Sequence, residues 1–217
     1  VIPDSAPGIP WQDLASRVRR RVLERYYREA EGYLADCLHA SPGQTAQEAV
    51  ADDALRPNQL FAITLEAIQN ADICQQMLTA CMSLLVPGAI RSLADRPVAY
   101  PLNVLYNGKP LINPGHPYQG RYAGDEDTQR KPAYHNGTAW TWIFPTFCEA
   151  WAMVYGDQGK RTAMAYLMSM TRLIRSGCIG HVPEILDGDA PHDQIGCDAQ
   201  AWGASELLRV YKQLALP

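Results

Sequence analysis

Apolar residues recur every three or four positions through most of this sequence, and no run of useful length alternates apolar with polar. That pattern predicts helices packed on helices. The first helix is expected over 11–39, where Val18, Val22, Tyr26, Ala30, Tyr33 and Cys37 keep the period and arginines and glutamates take the other face. Ser41-Pro42-Gly43 breaks it, and Asp52 or Asp53 is placed to cap the next helix, about 57–69. Pro57 suits that helix's first turn, where a missing N–H costs nothing. A third helix spans about 72–85 with Ile73, Met77, Cys81 and Leu84 inward; Pro87-Gly88 ends it, leaving 88–91 for a short helical turn. Further on, 138–155 carries Trp140, Phe144, Phe147, Trp151 and Val154 in one stripe. Pro145 either kinks this helix or marks its true first turn. The turn Tyr155-Gly156-Asp157 leads into 159–176, and a last helix runs from an Asp198 cap to about Leu214. The expected fold class is all-α, with antiparallel helices joined alternately by short and long connections.

Three stretches escape the period. From Ala94 to Gly137, prolines, glycines and asparagines are frequent, and a loop so long in a compact domain is usually functional or disordered. Its tyrosines (100, 106, 118, 122, 134) argue for order. The loop GHVPEILDGDAPH, 180–192, gathers one glutamate, two aspartates and two histidines among glycines and prolines. AYHNGTAWTW, 133–142, puts His135, Asn136 and two tryptophans at a helix start. The rest of the chain reads as a scaffold that brings these loops together.

Bulk properties narrow the chemistry. Apolar residues make up 47% and charged ones 19%, a balance able to bury a core. Net charge is −4, and the one basic run, Arg17 to Arg25, reads as a solvated helix face, so nucleic acid is not an expected partner. No apolar run approaches the ~18–20 residues of a membrane span. Cys37, Cys74, Cys81 and Cys148 fall on apolar helical faces without a CxxC pair, which reads as buried small hydrophobes in a reducing cytoplasm. The opening VIPDSAPGIP, 1–10, is linker-like and lacks an initiator methionine, which suits the C-terminal portion of a longer protein.

Glu184, between Pro183 and Ile185, is held by stiff neighbours and has the chemistry to deprotonate a water; the plainer alternative is a carboxylate that ties a loop. Asp187 and Asp189 around Gly188 are turn formers or acceptors for sugar hydroxyls. His181, Asp187, Asp189 and His192 match neither an EF-hand nor a zinc spacing, so no metal and no cofactor is expected. His135, Asn136 and Thr138 offer donors and acceptors. Trp140 and Trp142, two apart on a helix, cannot face the same way, so one is expected in the core and one against a cleft. Aromatic faces beside amides and carboxylates suit a carbohydrate.

Three blocks carry a resemblance: LRPNQLFAITL (55–65), RYAGDEDTQRKPAYHNGTAWTWIFPTF (121–147) and GHVPEILDGDAPHDQIGCDAQAWGASELLR (180–209). In order and spacing they resemble the C-terminal glucosidase domain of glycogen debranching enzymes, the amylo-α-1,6-glucosidase type, from Asp52 to the end. The resemblance implies an (α/α)6 toroid, of which 11–217 would form roughly half the ring. It implies hydrolysis, with inversion, of the α-1,6-linked glucose at branch points of an α-glucan such as glycogen or limit dextrin. By motif position Glu184 is the general base. Tyr134, His135, Asn136, Trp140, Asp187, Asp189 and His192 are substrate-site candidates.

Two departures stand out. The family's general acid is expected in an upstream Trp-Met-Asp type motif, which this sequence does not contain, and neither Asp125 nor Asp127 is favoured as a substitute. Lys131-Pro132 stands where relatives often carry an aspartate, and Asn136 where glutamine is commoner. The alternative reading is therefore a non-catalytic α-glucan-binding module or inactive fragment. An open half-ring would also leave helix faces uncovered, which predicts self-association or a missing N-terminal partner domain.

Overall fold

A strand of only two residues, Ala139–Trp140, is paired on both edges and joins segments far apart in the chain. A computed structural model describes residues 10–215, so the linker-like opening lies outside the described residues except for Pro10, which precedes the first helix. In chain order the elements are α1 (Trp11–Tyr26), the hairpin β1 (Tyr27–Arg28) and β2 (Tyr33–Leu34), and a second pair, β3 (Leu38–His39) and β4 (Val50–Ala51). A 3-10 turn (Pro57–Gln59) leads into α2 (Leu60–Thr64), followed by α3 (Ala71–Met82) and the hairpin β5 (Leu85–Val86) and β6 (Ala89–Arg91). The long connection holds a third hairpin, β7 (Leu105–Tyr106) and β8 (Lys109–Pro110), a π-helical turn (Glu126–Arg130) and α4 (Lys131–Tyr134). Then come β9 (Ala139–Trp140), α5 (Phe144–Met168), α6 (Thr171–Ile174), β10 (Ile185–Leu186), β11 (Gln194–Ile195) and α7 (Ala201–Ala215).

The fold is largely helical with small sheets, which corrects the all-α expectation. Among the described residues no strand exceeds three residues, too short to leave an alternating run in the sequence. Helix α5 forms the spine: Phe144, Phe147, Cys148, Ala150, Ala163 and Leu167 are buried against α2, α3 and α7. Pro145 sits in its first turn, and Gly156 (φ 58°, ψ −145°) breaks it into two helical arms at the turn the sequence marks. Arg209 of α7 clamps Glu149 of α5 with both guanidinium ends, at 3.0 and 2.7 Å. That bidentate bond raises the Arg209 pKa. Along α3, Asn70 caps Ile73 N at 3.0 Å, and Met77, Cys81 and, just beyond the helix, Leu84 point inward.

The five-stranded sheet runs β11-β10-β9-β6-β5, all antiparallel. Trp140 pairs with Ile90 on one side and Ile185 on the other. Segments nearly a hundred residues apart thus meet on one two-residue strand.

Four local expectations are corrected. The first helix ends at Tyr26 rather than at 39, because Tyr33 and Leu34 are drawn into the core through a hairpin that Gly32 (φ 73°) turns. Tyr33 then donates to Asp53 O at 2.8 Å. Cys37, no longer helical, is exposed, whereas Cys74, Cys81 and Cys148 are buried. The second helix stops at Thr64, and Glu66 lies at φ 56°. Residues 88–91 belong to the β5–β6 hairpin, where Gly88 (φ 83°) after Pro87 makes the turn. Helix α5 starts at Phe144 because 139–140 is strand. Among the described residues, no helix is long and apolar enough to cross a membrane.

Candidate functional site

Glu184 directly precedes β10, and its main chain is fixed before its side chain is considered. Thr141, fully buried, donates through N and Oγ1 to Glu184 O at 3.3 and 3.2 Å and through Oγ1 to Pro183 O at 2.6 Å. The carboxylate accepts from three donors: Tyr134 Oη and Gln200 Nε2 (3.1 Å) on Oε1, and Cys197 N (3.0 Å) on Oε2. Gly196 permits that approach, since a Cβ there would lie 2.6 Å from Glu184 Oε2. Burial, and then the bond to Glu184, raise the Tyr134 pKa, so its hydroxyl remains a donor.

Tyr134 ends α4 and connects Glu184 to the aromatic loop. Its carbonyl accepts from Trp140 Nε1 at 3.0 Å, and its ring meets the rings of His135 and Trp140 at 4.7 and 4.8 Å between centroids. His135 stacks on Trp140 at 5.0 Å, nearly parallel. Burial of that face, and Arg56 nearby, lower the His135 pKa.

Arg56 organises the turn. Its Nη1 donates to Ser92 O (3.0 Å) and to His135 O, its Nη2 to Asn136 Oδ1 (2.8 Å), and its Nε lies 3.3 Å from Asp36 Oδ2. Asn136 is tied at its other end too, with Nδ2 donating to Pro132 O at 2.8 Å. Asn136 is therefore a turn brace in this arrangement.

These groups border a cleft of about 430 Å³ whose walls include Asp36, Arg56, His135, Trp140, Trp142 and Trp202. Trp142, partly buried, and Trp140, buried in the core, both border it, so the expected division into one core and one cleft residue holds only in part. That expectation assumed a helix, whereas Trp140 ends β9 and Trp142 lies in the bend that leads into α5. Trp142 stacks on Trp202 at 4.0 Å. Glu184 is not among the residues lining this cleft; it is joined to the cleft wall through Tyr134, whose ring packs on His135 and Trp140.

The remaining candidates brace the loop 187–192. Buried Asp187 accepts from Tyr122 N at 2.8 Å, and Asp189 from Tyr118 Oη at 2.9 Å. His192 (φ 65°) faces Asp187 O through Nδ1 at 3.1 Å. Gly188 N donates to Gly120 O at 2.7 Å, and a Cβ on Gly188 would meet Gly137 O at 2.1 Å. The structure thus unites Tyr134, His135, Trp140 and Glu184 and sets Asp187, Asp189 and His192 in a neighbouring bracket with Tyr118 and Tyr122. Among the described residues, no three His, Cys, Asp or Glu side chains gather closely enough to hold a metal ion.

Asp36, Arg56 and Trp202 are site residues that the sequence does not single out, and Trp142 is one of the two tryptophans it offers to a cleft. Arg56 stood in the block LRPNQ, which was the available signal. Asp36 had none, because the period placed it on a helix.

The site is an acidic and aromatic loop cluster on a helical scaffold, and one stretch of the chain has a recognisable relation. Comparison gives the relation its name: residues 110–209 match the family described as Amylo-alpha-1,6-glucosidase. Over this stretch the chain is similar to the C-terminal type domain of glycogen debranching enzymes. The matched stretch holds all eight residues proposed from the sequence, while Asp36 and Arg56 lie before it. No curated protein matches the chain.

Proposed function

We propose that this chain is part of an inverting glycosidase that removes α-1,6-linked glucose from branch points of glycogen or limit dextrin, with Glu184 as general base. The observation that carries this reading is the Glu184 carboxylate held by Tyr134, Gln200 and Cys197 N inside the family-matched stretch. A carboxylate offers about four lone-pair sites. Two on Oε1 are filled and one on Oε2, which leaves Oε2 to accept a proton from water. That water's oxygen bonds to C1 of the glucosyl ring as the bond from C1 to the leaving oxygen breaks. The leaving oxygen takes a proton from the acid, and β-glucose results. An inverting pair stands ~6.5–9.5 Å apart, and in this proposal the acid comes from a part of the ring outside these residues.

In this proposal the chain forms part of a ring whose open edge must be covered. Helix α1 buries none of its residues, and Trp11 and Val18 are 61% and 49% exposed, an apolar edge for the rest of the ring or for a second copy to cover.

A second reading is non-catalytic α-glucan binding, favoured by the absence of Glu184 from the wall of the cleft. Incubation with branched limit dextrin separates the two. Alone, the chain is expected to release little glucose. Combined with the acid-bearing part it should release β-glucose, detected by NMR of the fresh product, and Glu184→Gln should lower turnover by orders of magnitude. Undiminished turnover in that variant refutes the assignment of the base.

A further inference from the structure

The start of α7 meets the segment that carries Glu184, and one side chain there makes a contact that packing does not explain. Gln200, the residue before α7, donates through N to Val182 O at 3.0 Å, and its own carbonyl accepts from Ala204 N at 3.4 Å. Buried Gly203 lets the helix close on that segment: a Cβ there would lie 2.9 Å from both Thr141 Oγ1 and Val182 Cγ1. Thr141 also fixes the carbonyls of Pro183 and Glu184. The main chains of 182–184 and 200–203 thus form one braced corner, and from it the Gln200 amide reaches Glu184 Oε1 at 3.1 Å.

The two ends of that amide fare unequally. Nε2 donates to Glu184, whereas Gln200 Oε1 is buried with no hydrogen-bond partner among the described residues. A buried acceptor left unpaired costs stability. Turning the amide over would set its oxygen against the carboxylate, two acceptors face to face. The observed orientation is the one that serves Glu184, and the fold bears the cost at the other end. A side chain kept for packing has no such need, since methionine fills nearly the same shape with neither end strongly polar.

The other groups that act on this corner, Tyr134 and His135 at the end of α4 and Cys197 after β11, are titratable. The Gln200 amide is neutral throughout, so its bond favours the ionised carboxylate without a charge of its own to lose. Two positions further on, Trp202 stacks on Trp142 in the wall of the cleft. One helix start therefore holds a piece of that wall and also the carboxylate that lies outside it.

We propose that Gln200 is a positioning residue that keeps the Glu184 carboxylate ionised and in register with the cleft wall, at a cost to the stability of the fold. The assignment rests on the general-base reading above and deepens it with a residue outside the eight named from the sequence.

The test uses the full chain labelled with 13C at the glutamate carboxyl carbons, the Glu184 signal being identified by its loss in Glu184→Gln. Gln200→Met should raise the midpoint of the Glu184 titration by about one pH unit, because a hydrogen bond to the charged form is lost. Its melting temperature at pH 7 should stay within about 3 °C of the parent, because removal of the unpaired buried oxygen offsets the lost bond. In the unsubstituted chain the Gln200 side-chain N–H signal should shift with the same midpoint as Glu184, a measurement that needs no variant. A midpoint unmoved by Gln200→Met, or an N–H signal indifferent to the Glu184 titration, overturns the positioning role and leaves the general-base reading intact. A larger fall in melting temperature overturns it too, since Gln200 would then support the fold. Undiminished turnover in Glu184→Gln, by contrast, removes the base and leaves the bond measured here untouched.

Discussion

Replacing Arg56 with methionine isolates the device on which the site's geometry depends. Methionine keeps the apolar stem and removes the fork. The side chain is 14% exposed, and its loss strands two backbone carbonyls, those of Ser92 and His135, together with Asn136 Oδ1 and one oxygen of Asp36. Removing one member of a buried, hydrogen-bonded charge network typically costs about 3–5 kcal/mol. The contribution from Asp36 is the smaller part, because its side chain is 27% exposed and water can replace the guanidinium there. For a chain of this size each kcal/mol lowers Tm by about 2–4 °C, so a fall of roughly 6–20 °C is expected. Urea unfolding followed by tryptophan fluorescence and by circular dichroism gives the free energy directly. Arg56→Lys should fall between, since an ammonium can face Asp36 but cannot reach three acceptors in a plane. A loss below about 1 kcal/mol for Arg56→Met would show that water serves those carbonyls equally well, and the positioning role would be lost with it.

Other perturbations test the surrounding geometry. Gly188→Ala sets a Cβ 2.1 Å from a backbone oxygen and should cost about 3 kcal/mol in urea unfolding. Gly43→Ala, at φ 87° with open space around it, should cost only about 1 kcal/mol of backbone strain; equal losses would contradict the loop contact. Arg209→Met leaves the Glu149 carboxylate unpaired between α5 and α7 and should lower stability by about 2 kcal/mol, less than for a fully buried pair because Arg209 is partly exposed. Burial and Arg56 depress the His135 pKa, so on acidification through the ordinary range near 6.5 the unfolded chain takes up its proton first. Stability contributed there is full above that value and declines as pH falls toward the depressed one. His135→Gln should flatten this part of the pH–stability curve, and an unchanged slope would contradict it.

Much of the helical frame is legible in the residues, and the reasons for the failures are physical. The break at Gly156, the placement of Pro145 and the inward face of α3 follow from local rules that tertiary contacts do not override. The period overextends the first helix because Tyr33 satisfies a three-to-four spacing and also fits a hairpin. Its bond to Asp53 O and its burial decide between them, and both depend on residues far along the chain. The third hairpin did leave a signal, Asn107-Gly108, whose backbones take the φ > 0 geometry (49° and 75°) that tight hairpins need. For Glu184, stiff flanks at Pro183 and Ile185 mark a fixed carboxylate. Its donors Tyr134 and Gln200 lie 50 and 16 positions away, and no local spacing announces them. Asp187 and Asp189 brace one loop against another, in line with the turn-forming one of the two readings their spacing offers, and their partners Tyr122 and Tyr118 lie too far along the chain for any local pattern to announce.

The connection leaving β6 returns to β9, the strand beside it, with Arg91 opposite Ala139. Its two ends are thus pinned at neighbouring rungs, and its farthest hairpin, Leu105–Pro110, stands in solvent. Closure entropy rises only logarithmically, so doubling such a span costs about 0.6 kcal/mol. Insertions grafted at that tip would leave the rungs undisturbed. Variants of this architecture are therefore free to lengthen, shorten or redecorate the span while the Tyr134–Glu184 pairing stays in register.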